Sequence, residues 1–215
     1  IDEHARPFIY SDKLFRTLLS DTLRKSVREY EGLPDLKTAK TLFGLPIDTL
    51  YKNMLQPSDN LFAEQILMMA SDRLTDTLNT SNSINFMLEN YFTEWQDELV
   101  WVDGSGLSRY NMFTPRTIVH LLDLIRNEVG EERLFKLLPA GGISGTIENW
   151  YGSETGPYIF AKTGTVRNNH CLSGYIKTKK GKTLIFTFMV NHYTSSTNEV
   201  KKSMQEILEK IRNAY

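Results

Sequence analysis

Lys162, Thr163 and Gly164 lie in Tyr158–Thr165, a short run that reads as a strand and leads into a hairpin. On a strand this triplet presents an ammonium, a hydroxyl able to hold a carboxylate, and a residue with no side chain against which an extended substrate backbone can lie. Far upstream, Ser58-Asp59-Asn60 offers a hydroxyl that both donates and accepts a proton, and a carboxamide that can hold an amide. Positive charge, a proton-passing hydroxyl and nearby backbone N–H groups are what an acyl-transfer site needs. Neither triplet is specific alone. Lys-Thr-Gly also suits a turn or an edge strand, and a serine ahead of an apolar-periodic run also caps a helix. The Ser-x-Asn pattern recurs at Ser83-Ile84-Asn85 and Ser196-Thr197-Asn198, though without the Pro57-led break.

Ser-x-x-Lys, Ser-Asp-Asn and Lys-Thr-Gly form one catalytic set in penicillin-binding proteins and class A β-lactamases. Two of the three are present, in the expected order. No serine in this chain is followed three residues later by lysine, and the first residues are Ile1-Asp2 rather than Met. The expectation is a fragment whose nucleophilic serine lies outside these residues.

The elements that must position the two triplets follow from periodicity. Ser11-Asp12 opens an amphipathic helix (Leu14, Phe15, Leu18, Leu19, Leu23, Val27) expected to end at Gly32-Leu33-Pro34. Ala39–Ile47 is mixed and is expected as an edge strand, followed by a short helix over Asp48–Leu55. Pro57-Ser58-Asp59 supplies a break and a cap, and Leu61, Phe62, Ile66, Leu67 and Met69 give the next helix its buried side. A helix is expected over Ser81–Gln96, with Trp95 on its stripe. Asp103–Ser108 is a glycine-punctuated loop that reads either as bordering the cleft or as plain structure, and it is left out of the catalytic set. Thr114-Pro115 caps a helix through Ile125 to Gly130, and Glu131–Leu138 is a further short helix stopped by Pro139. Asn169–Thr178 and Thr183–Asn191 form a hairpin about Lys179-Lys180-Gly181-Lys182. A last helix starts at Thr194–Thr197 and turns Val200, Met204, Ile207, Leu208 and Ile211 to one side. Helices segregated from an antiparallel sheet make the fold class α+β.

The surrounding blocks resemble the S13 peptidase family, low-molecular-mass class C penicillin-binding proteins that act as D-alanyl-D-alanine carboxypeptidases and endopeptidases. The similarity rests on Pro46–Glu64, including Gln56-Pro57-Ser58-Asp59-Asn60. It continues through Asp103-Gly104-Ser105-Gly106-Leu107-Ser108-Arg109-Tyr110-Asn111 with Thr114-Pro115, and Leu138-Pro139, Gly141 and Gly145-Thr146. Lys162-Thr163-Gly164-Thr165 with Gly174-Tyr175 completes it. It runs from about Phe8 to the C-terminus, and the ordered motifs make it far more specific than either triplet.

The resemblance implies a penicillin-binding, β-lactamase-like transpeptidase domain of which residues 1–215 are the C-terminal part. The N-terminal part with Ser-x-x-Lys and the inserted domains would be absent. It implies that an outside serine attacks the amide between two D-alanines, with an outside lysine as base. Ser58 would pass the proton to the leaving D-alanine, Asn60 would hold the acyl-side amide, and Lys162 would keep the site positive. Thr163 would bind the terminal carboxylate, Gly164 would admit the substrate backbone, and the N–H of Thr165 would be half of the oxyanion hole. Water would release the acyl group, and β-lactams would be attacked in the same way and released slowly. The implied partners are a peptidoglycan stem peptide ending in D-Ala-D-Ala, β-lactam antibiotics, and a missing N-terminal half or second chain covering the exposed sheet edge. The implied location is periplasmic or extracytoplasmic, with membrane association left open. No cofactor is implied. The alternative is a non-catalytic homologue that binds cell-wall peptide or a partner, and a β-lactamase is a third reading.

Composition narrows the field. With 215 residues, 40% hydrophobic content and 24% charged content the chain suits one globular domain or slightly more. Twenty-five basic against 26 acidic residues give a net charge of −1, which offers no footprint for nucleic acid. Cys171 is the single cysteine, so no disulfide can form within the chain. It reads as a buried free thiol, and adjacency on a strand sends His170 to the opposite face. His4, His120, His170 and His192 lack metal-ligand spacing. No Gly-x-Ser-x-Gly elbow is present, which argues against a Ser-His-Asp hydrolase.

Overall fold

The structure is a computed structural model that describes residues 11–32, 40, 43–93 and 97–215. The chain divides into two compact units, Ile1–Gly44 and Leu45–Tyr215.

In the first unit, α1 spans Asp12–Leu23, capped by Ser11, whose Oγ accepts from Leu14 N–H at 3.1 Å. It stops short of the expected Gly32. Arg24 turns left-handed (φ 51°) and Lys25 N–H closes back on Ser20 O. Ser20 Oγ also accepts from Val27 N–H at 3.0 Å, which fixes Val27 as loop rather than as another helical turn. Leu33 and Pro34 lie outside the described residues.

The second unit begins without the expected edge strand. Ala39, Thr41 and Leu42 lie outside the described residues, and Leu45 is a bend. Pro46, lacking an N–H for a ladder, instead precedes α2, Ile47–Leu55. Two helices follow, α3 over Asn60–Thr75 and α4 over Thr80–Tyr91. They are joined by Ser83 Oγ donating to Leu67 O at 3.0 Å. Of the residues expected to face inward on α3, Ile66 and Leu67 are partly covered, whereas Leu61 and Met69 are 65% and 67% exposed. Helix α4 ends at Tyr91, and Trp95 lies outside the described residues.

Thr114 caps α5, Pro115–Val129, with its Oγ1 accepting from Thr117 N–H at 3.1 Å and Pro115 in the first turn. Helix α6 covers Glu131–Leu137, and a short 3-10 turn covers Gly145–Ile147. The sheet follows: β1 Ile159–Val166, β2 Asn169–Lys177 and β3 Thr183–Asn191, antiparallel in the order β1-β2-β3. Helix α7, Thr197–Ala214, closes the chain with a capping box between Ser196 and Glu199. The fold class is α+β, as the periodicity indicates.

Strand alternation sends apolar residues to both faces of the sheet, and each face is covered. Ile159, Ala161, Leu172 and Ile176 form one core with Val200, Met204 and Leu208, which recur a turn apart along α7. Phe160 and Tyr175 form the other core with Leu134 and Leu138, and with Leu122 and Ile125 of α5 packed against it. Phe135 stacks on Phe160 at 4.2 Å between ring centroids, and the Tyr175 hydroxyl donates to Leu122 O at 2.7 Å. β1 and β2 approach closely at Gly174, opposite Ala161. A Cβ on Gly174 would fall 2.2 Å from Phe160 O and 2.6 Å from Ala161 Cα. β1 is thus held at a fixed height between two cores, and it carries Lys162.

Candidate active site

The Ser58 turn is built by the junction of α2 and α3. Asp59 N–H donates to Met54 O at 2.8 Å, which folds the chain back over the end of α2 and places Ser58 in the left-handed region at φ 63°. For a residue with a side chain that conformation costs on the order of 1 kcal/mol. Asp59, rather than Ser58, caps α3: its Oδ1 accepts from Phe62 N–H at 2.8 Å. The cap role open to Ser58 in the sequence is therefore taken by its neighbour, and the Ser58 hydroxyl is left to act elsewhere.

It meets Lys162. The Lys162 ammonium donates to Ser58 Oγ at 2.6 Å and to Thr163 O at 2.8 Å. Lys162 is half-buried, and burial pulls its pKa from 10.5 down to about 8. It is still mainly charged at neutral pH, yet close enough to neutrality to exchange a proton with a hydroxyl. Asn60 is the first residue of α3 and exposed. It stands two positions from Ser58 and makes none of these contacts.

Thr163 and Thr165 lie on the opposite face of β1 from Lys162. Thr163 Oγ1 donates to Thr146 Oγ1 at 2.8 Å. Thr165 Oγ1 is 2.8 Å from Nδ1 of His170, its cross-strand partner. His170 is fully buried, and burial, assisted by the charge of Lys201, lowers its pKa and favours the neutral ring. Its Nδ1 is engaged with Thr165, and Cys171 faces the other side with its thiol pKa pushed up by burial. The two do not form a thiolate–imidazole pair.

The outer edge of β1 is partly occupied. Ala161 N–H donates to Pro139 O at 3.0 Å, and Ile159 O accepts from Gly141 N–H at 2.9 Å. Backbone groups alternate in an antiparallel ladder, so the N–H groups of Thr163 and Thr165 point the same way as that of Ala161, away from β2. Gly164 lies between them. A Cβ there would come no nearer than 3.9 Å, to Cys171 Cβ. Folding therefore does not require glycine at 164. Gly164→Ala is expected to leave the urea midpoint within about 0.3 M while hindering any backbone laid along this edge. An unfolding titration beside a peptide- or penicillin-binding assay checks it, and parallel losses in both would contradict it.

The Asp103–Ser108 loop is docked on the start of α3. Glu64 accepts the N–H groups of Gly104 and Ser105 at 2.7 and 3.0 Å. A Cβ on Gly104 would lie 3.0 Å from Ala63 O, so glycine permits the close approach. Burial works to raise the Asp103 pKa, but hydrogen bonds from Asn111, Gly106 and Ser105 outweigh it and hold the carboxyl below its usual range. A groove of about 490 Å³ lined by Asp48, Val129, Glu131, Arg133 and Lys136 does not include Ser58 or Lys162. It surrounds the Arg133–Asp48 ion pair, 2.6 Å, and is separate from the Ser58–Lys162 contact.

Sequence reasoning thus names the pair that touches, Ser58 and Lys162. The partners of the surrounding segments are not legible in the sequence: Gln56 on the end of α6, Glu64 under the Gly104–Ser105 turn, Thr146 against Thr163 and His170 against Thr165. Gln56 and Gly145-Thr146 are within the blocks that resemble the S13 family, but an amide or hydroxyl in a loop announces no partner until the fold brings one.

Residues 38–211 match the sequence profile of the D-Ala-D-Ala carboxypeptidase 3 (S13) family. The chain is 25% identical over 177 residues to the D-alanyl-D-alanine carboxypeptidase DacB of Haemophilus influenzae, covering 79% of this chain and 37% of that protein. It is 26% identical over 156 residues to the carboxypeptidase DacB of Mycolicibacterium smegmatis, covering 68% of this chain and 34% of that one. The chain thus spans about a third of the length of these curated relatives. Among solved structures, penicillin-binding protein 4 (dacB) from Haemophilus influenzae superposes with a TM-score of 0.69 at 21% identity, over 78% of this chain and 40% of that one. The TLA-1 extended-spectrum β-lactamase superposes with a TM-score of 0.55 at 17% identity, over 78% of this chain and 63% of that one. At those identities the two structures speak for the fold, which is that of the penicillin-binding and β-lactamase-like proteins. The profile match covers most of the chain, and on that ground the chain belongs to the D-Ala-D-Ala carboxypeptidase 3 (S13) family.

Proposed function

We propose that this chain is the part of a serine-type D-Ala-D-Ala carboxypeptidase that binds substrate and delivers a proton to the leaving group. The activity extends to endopeptidase cleavage of peptidoglycan cross-links. One observation carries the reading: the 2.6 Å contact between the Lys162 ammonium and the Ser58 hydroxyl, two residues remote in sequence. A hydroxyl held by a cation whose pKa is drawn to about 8 can give a proton to a departing amine and recover it from the ammonium.

In this reading a serine outside Ile1–Tyr215, activated by the lysine of its own Ser-x-x-Lys, attacks the carbonyl of the penultimate D-alanine. The C–N bond breaks, Ser58 protonates the leaving D-alanine nitrogen, and water hydrolyses the acyl-enzyme. The stem peptide lies antiparallel along the outer edge of β1, over Gly164. The N–H of Thr165 faces the developing oxyanion together with the N–H of the outside serine. Asn60, exposed at the start of α3, holds the acyl-side amide, and Thr163 takes the terminal carboxylate by exchanging its bond to Thr146. β-Lactams follow the same route and stall as the acyl-enzyme. The enzyme works outside the cytoplasmic membrane. The remaining N-terminal part supplies the serine and pairs with β3, which lies at the edge of the sheet among the described residues.

Labelling the full-length protein with a fluorescent penicillin and mapping the adduct by mass tests this. The expected result is one adduct per molecule on the serine of an upstream Ser-x-x-Lys. An adduct on a serine of this chain, or none at all, would contradict it, the latter in favour of a non-catalytic peptide-binding homologue.

A further inference from the structure

Gln56 caps the end of α2, two residues before Ser58. Its side-chain amide donates to two carbonyls at once, Leu137 O at 3.1 Å and Leu138 O at 2.8 Å. These are the last residue of α6 and its C-cap, where carbonyls run out of helical partners. Both acceptors are oxygens, so the position requires an NH2 group; a carboxylate of the same shape would oppose them. The other face of Gln56 rests on Gly145, whose φ is +66°. A Cβ on Gly145 would fall 2.7 Å from Gln56 Oε1 and 2.9 Å from Gln56 O.

These contacts close a ring. Gly145 is followed by Thr146, which accepts the hydrogen bond of Thr163. Thr163 follows Lys162, and Lys162 donates to Ser58. Ser58 lies two residues beyond Gln56. The left-handed turn at Ser58 and the strand bearing Lys162 are thus joined directly by one hydrogen bond. They are joined a second time, on the far side, through Gln56, Gly145 and Thr146.

We infer that Gln56 is a positioning residue for the Ser58–Lys162 pair, its amide fixing the Ser58 turn against the segment that also anchors Thr163. The claim rests on the proposed proton-delivery role of that pair only for its catalytic consequence. The geometric consequence, a half-buried Lys162 held in place, stands independently of it.

The test uses the full-length protein with Gln56→Met, which keeps the volume and loses the donors, and Gln56→Glu, which sets oxygen against oxygen. Met204→Ala, in the core beneath α7, serves as a comparison that loses stability without touching the ring. Two quantities are read on folded protein: the rate of acylation by penicillin at saturation, and the titration of Lys162 by NMR of 13C-labelled lysine. Both Gln56 variants are expected to acylate roughly ten- to a hundredfold more slowly, the scale of a misplacement near 1 Å. Their Lys162 midpoint should move up toward 10.5 as water reaches the ammonium. Met204→Ala should leave both readings within about twofold of wild type, or unmoved, at a comparable loss of melting temperature. Gln56 variants with wild-type acylation and an unmoved Lys162 midpoint would overturn the inference. So would a Met204→Ala protein that reproduces their changes. Failure of the wild-type protein to acylate would sink the proposed function, and the Lys162 titration would still decide the role of Gln56.

Discussion

Lys162→Met in the full-length protein is expected to slow acylation by penicillin by roughly a hundred- to a thousandfold, the usual cost of losing one preorganised charged donor at a reacting centre. The same change is expected to make the protein more stable at neutral pH. The Lys162 pKa falls from 10.5 to about 8 because burial penalises the ammonium. For a base with a depressed folded pKa, the favourable contribution is complete above 10.5 and is lost as pH falls through about 8. Wild type therefore carries the cost of a buried charge at pH 7. At about 1.4 kcal/mol per tenfold change in proton affinity, that cost is about 3 kcal/mol, and the water that the side chain still meets trims it to about 2. Denaturant titrations should show wild-type stability rising between pH 8 and 10.5, and the methionine variant should lack that rise. A variant that is slower but no more stable at pH 7, with an unchanged pH dependence, would mean that Lys162 is better solvated than its position indicates.

Gly174→Ala is expected to destabilise the protein by about 3 kcal/mol, the upper range for overpacking a closed interior. The added carbon would meet Phe160 O at 2.2 Å, Ala161 Cα at 2.6 Å and Ala161 Cβ at 2.8 Å. Two of these are main-chain atoms of β1 and cannot rotate away, so the strand itself must shift. Because Lys162 follows Ala161, acylation should fall in the protein that remains folded. Urea unfolding and the acylation rate per folded molecule check both parts. The contrast with Gly164, where the nearest atom to an added carbon is 3.9 Å away, separates a glycine that packing requires from one that it does not. A Gly174→Ala protein as stable as wild type would contradict the close approach of β1 and β2.

Much of this arrangement was legible in residue order. The hairpin showed itself in β-rich runs about Gly181, and α7 in the one-turn spacing of Val200, Met204 and Leu208. Thr114-Pro115 marked the start of α5 through cap chemistry that is local to the chain. What could not be read was non-local. Ser58 looked like a helix cap because Ser and Asp are interchangeable there, and only the fold decides that Asp59 takes the cap. The early end of α1 depended on Ser20 reaching Val27, a competition between side chain and helix that apolar periodicity does not register. Leu61 and Met69 carried helical spacing, but their exposure in this unit shows that spacing names a face without naming what covers it. Gln56 stood in a recognisable block and His170 on a recognisable strand, but neither announced its contacts, since a buried amide or imidazole is defined by partners drawn from other segments.

The central claim is that Ser58 and Lys162 act as one proton-delivering unit. A double-mutant cycle on acylation of the full-length protein, with Ser58→Ala, Lys162→Met and both together, addresses it directly. If the two act as a unit, the double variant should be no more than about threefold slower than the slower single variant, because either change alone already breaks the unit. Single-variant penalties that multiply in the double variant would show two independent contributions, and the 2.6 Å contact would then have no part in the chemistry.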